Sequence, residues 1–194
     1  MNRIALSGKM CSGKSTVAEY LKFKYGFEIV SFADELKRIA RDVFELHSKN
    51  RRVLQKLGEE MRGLDPDIWI RPVLWKITDL RDRPIVIPDL RYLNEAETLA
   101  SIDFAIVRVQ VDIPTQRGRA IRFYGEGDLK RAGHISEIEL DDYNFDYVLD
   151  GSLTKDIMLA QADRLVSKPW PGIIERPWTI MPGHNWAFGE EEED

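Results

Sequence analysis

Apolar residues in this chain fall either in short solid runs or in stretches where they recur every three or four positions. Ile4-Ala5-Leu6, Ile85-Val86-Ile87 and Ala105-Ile106-Val107 are runs without alternation, the pattern of strands buried on both faces. Val17, Ala18, Leu21 and Tyr25 have the spacing of one helix face. The pattern predicts strands near 3–7, 27–32, 84–88, 104–111 and 146–149, and helices near 14–25, 33–46, 49–63, 67–80, 92–101, 114–123 and 152–166. Strands alternating with helices imply an α/β fold of three layers, a five-stranded parallel sheet covered on both faces. The helical stretch 33–80 interrupts the alternation and is long enough to form a small lobe over the carboxyl edge of the sheet, where ligands bind in such folds.

From Lys168 the periodicity stops. Pro169, Trp170, Pro171, Gly172, Pro177, Trp178, Pro182, Gly183 and Trp186 break any regular element, so one domain is expected over 1–167 and an extended tail with a disordered acidic end over 168–194. Three tryptophans in a tail are expected to pack on the domain or on a second subunit of a homodimer. The length of 194 residues, with 43% hydrophobic and 31% charged residues, fits one soluble domain with a real core. No run approaches a membrane span, no basic-then-apolar leader opens the chain, and its lone cysteine, Cys11, forms no internal disulfide. A cytoplasmic protein is expected. Of 33 acidic residues five form the terminal run Glu190–Asp194, which leaves 28 against 28 basic residues. A neutral body gives no basic stripe for long nucleic acid, and its arginines must be read locally.

Gly8-Lys9-Met10-Cys11-Ser12-Gly13-Lys14-Ser15 spells G-x-x-x-x-G-K-S between a predicted strand and a predicted helix, the context that the phosphate-binding P-loop requires. Gly8 and Gly13 let successive N–H groups face one concavity, and the helix opening at Lys14 adds its positive end. Lys14 is placed to reach the β- and γ-phosphates of a nucleotide, and the Ser15 hydroxyl to ligate Mg²⁺. Asp89, at the end of the run Ile85-Val86-Ile87-Pro88, either faces Mg²⁺ as the second half of such a site or caps a helix. Arg91 aims at the same pocket or forms a surface ion pair.

Arg117, Arg119 and Arg122, followed by Gly125 and Gly127, have the composition of a lid over 113–130. Arg119 and Arg122 lie three apart and share a helix face. A closing lid would bring guanidinium groups to the transferred phosphoryl and exclude water. In the lobe, Arg38 and Arg62 are candidates to clamp a second phosphate, with Asp34, Lys37 and Asp67 nearby in sequence, and Trp69 stacks on a base or fills the core. His134, Ser136 and Glu137 form a polar turn without the spacing of a catalytic triad or a zinc site.

Ser31-Phe32-Ala33-Asp34 with Leu36-Lys37, Leu54-Gln55…Leu57-Gly58…Arg62 and Asp67-Ile68-Trp69 resemble the phage deoxynucleoside monophosphate kinases, and Ile87-Pro88-Asp89-Leu90-Arg91-Tyr92-Leu93-Asn94-Glu95-Ala96-Glu97 resembles the D-x-R-x-x-N-E block of that family. His134-Ile135-Ser136-Glu137 and Asp150-Gly151-Ser152-Leu153 are similar to its closing segments, and the similarity runs over residues 1 to about 166. The resemblance implies a P-loop kinase fold and transfer of the ATP γ-phosphate to a deoxynucleoside monophosphate, with ATP and Mg²⁺ bound. It implies that residues 8–16, through Thr16, hold the ATP phosphates. Asp34, Arg38, Arg62 and Trp69 would form the acceptor site, with Asp67, Arg91, Glu95, His134 and Glu137 of the matching blocks beside them. Arg117, Arg119 and Arg122 would form the lid, Asp150-Gly151-Ser152 would pass the adenine, and Lys14, Asp89, Arg91, Arg117 and Arg122 would act on the transferred group. Animal phosphomevalonate kinases resemble the same group, which leaves a small phosphorylated acceptor open. A P-loop switch or ATPase is the other alternative, although the Asn/Thr-Lys-x-Asp guanine motif does not occur.

Overall fold

A computed structural model describes residues 2–46, 50–125 and 139–167, Arg51 and Arg52 by backbone alone. The elements run β1 (Arg3–Ser7), α1 (Lys14–Tyr25), β2 (Glu28–Ile29), α2 (Ala33–Phe44), α3 (Arg51–Leu64), α4 (Ile70–Leu80), β3 (Ile85–Leu90), α5 (Leu93–Ser101), β4 (Ala105–Gln110), α6 (Ile113–Tyr124), β5 (Tyr147–Asp150) and α7 (Lys155–Ser167). The five strands are all parallel in the order β2-β3-β1-β4-β5. Strand order reverses about β1, which places the loop after β1 at the switch point where open α/β sheets bind ligands.

Successive side chains of a strand point to opposite faces, and both faces are covered here. Ile4 and Leu6 of β1 pack with Val86, Val107 and Leu149 against Val17, Ala18 and Leu21 of α1 and Met158, Ala162 and Leu165 of α7. Ala5 packs on the other face with Ile87 and Ile106 against Val73 and Ile77 of α4 and Ala96 and Leu99 of α5. Burial on both sides is why the strands read as unbroken apolar runs. Helices α2, α3 and α4 fill the long interval between β2 and β3, and Leu36, Ile39 and Met61 lean on the second of these clusters.

Three boundaries differ from the pattern for physical reasons. The expected strand 27–32 shortens to Glu28–Ile29. Val30 N still donates to Val86 O at 3.1 Å, but the amides of Phe32 and Ala33 turn to the Asp89 carboxylate instead. β3 runs past residue 88 to Leu90 with a register shift against β1 between Ala5 and Ser7, where Pro88 has no N–H to contribute. α4 starts at Ile70 rather than 67 because residues 66–69 form a turn, with the Asp65 carboxylate accepting from Asp67 N at 3.0 Å. His134, Ser136, Glu137, the expected lid beyond Gly125 and the tail 168–194 lie outside the described residues. Among the described residues no helix is long and apolar enough to cross a membrane.

Candidate active site

The loop between β1 and α1 is shaped by close approaches. Gly8 has φ 149°, and a Cβ there would run into the Val109 carbonyl oxygen and lie 2.8 Å from Ser12 Oγ. The backbone passes through the left-handed region again at Cys11 (φ 64°), a half-buried thiol, and α1 then begins after Gly13. Alternation of this kind turns neighbouring N–H groups toward one concavity. Lys14 Nζ folds back over the loop and donates to the carbonyl oxygens of Gly8 and, at 2.9 Å, Lys9. Ser12 Oγ is buried without a hydrogen-bond partner among the described residues, so the loop holds a polar group that protein atoms leave unsatisfied. Ser15 is exposed on the first turn of α1, and Thr16 follows half-buried. These features fit a phosphate chain with a divalent cation held through Ser15 and phosphate oxygens. Mg²⁺ is commonly bound in that way, by few protein ligands together with substrate phosphates.

Two other elements close on this loop. A Cβ on Gly151 would collide with the Ser12 carbonyl oxygen and lie 3.0 Å from that of Gln110, so the turn after β5 packs flush against the loop backbone. Gly151 N donates to Gln110 O at 2.6 Å, and Ser152 Oγ accepts from Asp112 N at 2.8 Å. From α6, Gln116 Nε2 donates to Met10 O at 3.0 Å and Arg119 Nη1 to Cys11 O at 3.3 Å. Gln116 and Arg119 are one helical turn apart. The spacing argument paired Arg119 with Arg122, whereas the face turned to the loop is 116 and 119; Arg117 and Arg122 are exposed. Gln116 was missed because a glutamine in a charged helix carries no signal of its own.

The Asp89–Glu95 segment ties the α2–α4 insertion to the sheet. Asp89 accepts three bonds from the start of the insertion: Ser31 Oγ at 2.6 Å, Phe32 N at 3.1 Å and Ala33 N at 3.0 Å. Its carboxylate therefore positions the entry to α2 rather than capping the helix that follows it. Asn94 Nδ2 donates to Asp67 Oδ1 at 2.8 Å and to Pro66 O at 3.1 Å, which holds the α3–α4 junction. Glu95 is 2% exposed; it accepts from Arg91 N at 3.0 Å and Tyr92 N at 3.2 Å and pairs with Arg62 Nη2 at 3.1 Å. Burial pushes its carboxyl up to about 7, against the opposing pull of Arg62 and the two amides. The Arg62 guanidinium also stacks 4.0 Å from the Tyr92 ring centroid and donates to Gly58 O at 3.4 Å.

Two expectations in the insertion, for Trp69 and for Arg38, are corrected. Trp69 offers no face to a base: it is 2% exposed within the core, its Nε1 donating to Gly58 O at 3.2 Å. An indole whose only donor is satisfied indoors gains more from packing than from solvent. Arg38 does not join Arg62 in a clamp; it is exposed and paired with Glu35 and Asp42 on its own helix, one turn away on either side. Asp34 is exposed and accepts from Lys76 Nζ at 3.1 Å.

Arg108 and Asp141 escaped the sequence reading. Arg108 is the one charged residue in the strand Ala-Ile-Val-Arg-Val-Gln, and that break in an apolar run was the available signal. It pairs in register with Ser7, donates to Ser7 Oγ at 3.3 Å, and bonds Asp141 Oδ1 at 2.5 Å. Lys9 Nζ reaches the other Asp141 oxygen at 3.0 Å.

No family model matches the chain. Over 106 residues it is 35% identical to "Uncharacterized protein ORF76" of Ictalurid herpesvirus 1, a match spanning 51% of this chain and 44% of that protein, so the chain covers less than half of that relative. Over 139 residues it is 27% identical to the Acanthamoeba polyphaga mimivirus protein named "Putative deoxynucleotide monophosphate kinase", spanning 55% of this chain and 72% of that one. Among solved structures it is similar to TT1252 from Thermus thermophilus (TM-score 0.57, 21% identity, 88% of this chain and 100% of that one). It is also similar to shikimate kinase from Aquifex aeolicus (TM-score 0.50, 19% identity, 84% of this chain and 95% of that one). The chain has the fold of the P-loop kinases.

Proposed function

We propose that this protein transfers the γ-phosphate of ATP to a deoxynucleoside monophosphate. The observation that carries the reading is the arrangement at the carboxyl edge of the sheet. A P-loop with Lys14 folded over it stands at the end of β1, and Arg62, held by the buried Glu95, stands at the end of β3 beside the inserted helices. The mimivirus relative, whose name is that of a deoxynucleotide monophosphate kinase, supports the same direction. In this reading the loop amides and Lys14 hold the donor phosphates, and Arg119 and Gln116 of α6 brace the loop from outside. Arg62 presents its remaining N–H edge to the acceptor phosphate. Asp89 keeps the insertion in register with the loop, so the two phosphates are held at a defined separation. A bound Mg²⁺ would neutralise charge on the donor phosphate oxygens. No covalent enzyme intermediate is required, since positioning and charge neutralisation carry most of the catalysis of phosphoryl transfer.

The test is ADP release, measured by a coupled assay, across the four deoxynucleoside monophosphates, the ribonucleoside monophosphates and phosphomevalonate. Turnover confined to one or more deoxynucleotides is the expected result, and activity on phosphomevalonate alone, or on none, defeats the acceptor assignment. The burial of Trp69 specifically favours keeping a small phosphorylated acceptor as the second reading, because it removes the stacking surface that spoke for a base.

A further inference from the structure

Among the described residues, the strongest charge arrangement without an assigned role is the trio Lys9, Arg108 and Asp141. Arg108 shares its pleat face with Ile106, on the side of α4 and α5. Its side chain is 13% exposed, and its guanidinium lies 5.4 Å from the Phe145 ring centroid. Arginine is seldom buried without a partner or a purpose. Its partner Asp141 sits between two cations, one oxygen on Arg108 and the other on Lys9 of the P-loop. Burial pushes the Asp141 carboxyl up, but hydrogen bonds from Lys9 and Arg108 more than offset it and hold the group below its ordinary value. One carboxylate thus bridges the loop and the end of β4, with Ser7 Oγ, the residue before Gly8, as a further contact of the guanidinium. A guanidinium fork and an ammonium converging on two oxygens is also how phosphate is recognised.

We propose that Lys9 and Arg108 form a phosphate subsite at the border between the loop and the acceptor side, and that Asp141 occupies it as an intramolecular stand-in. The proposal rests on the reading of the chain as a phosphoryl-transfer enzyme. A substrate phosphate entering this position takes over the two cations, and the Asp141 carboxylate gives way. The shared chemistry is a phosphate group, which has two sources: the γ-phosphate of the donor or the phosphate of the acceptor.

Calorimetric titration of the full chain distinguishes them. AMP-PNP and ADP probe the donor side, and inorganic phosphate added to the AMP-PNP-bound protein, whose γ-position is filled, probes the acceptor side. Asp141→Asn removes the competing charge while keeping the side-chain shape. It is expected to tighten AMP-PNP but not ADP if the γ-phosphate is the occupant, or to tighten inorganic phosphate if the acceptor phosphate is. The expected gain is about tenfold, the scale of one charge-assisted hydrogen bond. Arg108→Gln in the Asp141→Asn background is expected to abolish the gain, a non-additivity that long-range charge alone does not produce. Should Arg108→Gln fail to fold by circular dichroism, Lys9→Gln, which removes the more exposed cation, serves in its place. Unchanged affinities for all three probes in Asp141→Asn, or a gain that survives loss of Arg108 or Lys9, overturns the subsite. A wild type that binds AMP-PNP yet phosphorylates none of the tested acceptors would sink the proposed function while leaving this site standing.

Discussion

Eight consecutive residues, Gly8 to Ser15, make the phosphate loop largely from backbone, with neighbours packed so closely that a single Cβ at Gly8 or Gly151 meets a carbonyl oxygen. The region around Glu95 is built the other way, from side chains drawn from four separate stretches: Ser31 to Ala33, Arg62, Pro66 to Asp67, and Asp89 to Glu95. The first region depends on conformational freedom and close approach, which local sequence can specify. The second depends on a buried charge pair and on carboxylates that replace ladder bonds, which only folding can assemble. The loop is therefore expected to lose chemistry when altered, and the side-chain region to lose stability and acceptor binding.

The largest expected effect is on the loop. Lys14→Ala should lower the rate of ADP release by about 10²–10³-fold, the cost of removing one preorganised charge donor, with the melting temperature nearly unchanged. Near-normal turnover would end the kinase reading. Next in size is Glu95. Its buried carboxyl holds a proton up to about pH 7, whereas the unfolded chain releases it near 4.5. The folded state binds the extra proton between these values, so wild-type stability falls as pH rises from about 4.5 to about 7, by roughly 3 kcal/mol at most. Glu95→Gln cannot lose that proton, so in urea melts it should gain on the wild type between pH 5 and 8. Above about pH 7, where the wild-type carboxyl is ionised, it should also raise the acceptor KM, because a neutral amide holds Arg62 less firmly than a carboxylate does. A stability difference that stays flat across that range would show that the carboxyl is not held as described.

Gly151→Ala is a smaller perturbation of the loop region. The added methyl meets the Ser12 and Gln110 carbonyls, backbone atoms that cannot step aside, and the expected cost is about 2 kcal/mol in thermal or urea unfolding with weaker nucleotide binding. The smallest effect belongs to Arg38→Ala, whose surface pairs on α2 contribute little. Its turnover should stay within about twofold of wild type, and a large rise in acceptor KM would restore Arg38 to the site and blur the contrast between the regions.

Most of the element order was legible in advance, because buried strands and amphipathic helices write their periods directly into the sequence. The P-loop was legible for the same reason: its residue types are dictated by a local turn. The role of Trp69 was not, since an indole suits a ligand face and a core equally well; the Gly58 carbonyl and the surrounding apolar residues decide for the core. The Arg62–Glu95 pair spans 33 positions and the Arg108–Asp141 pair another 33, beyond the reach of helix-face spacing. Asp89 was noticed as a carboxylate at a strand end, but its partners at 31–33 lie between the edge strand β2 and the first turn of α2, more than fifty positions earlier in the chain.

By itself, then, the sequence determined the parallel α/β sheet, the helical interval between β2 and β3, and the phosphate loop, all features whose cause lies within a few residues of their effect. The tertiary structure alone decided which face of α6 meets the loop, that Arg62 is anchored by the buried Glu95, and that Asp141 stands between Lys9 and Arg108. Those outcomes turn on desolvation and on charges brought together from distant parts of the chain, and burial is a property of the packed molecule rather than of any one segment.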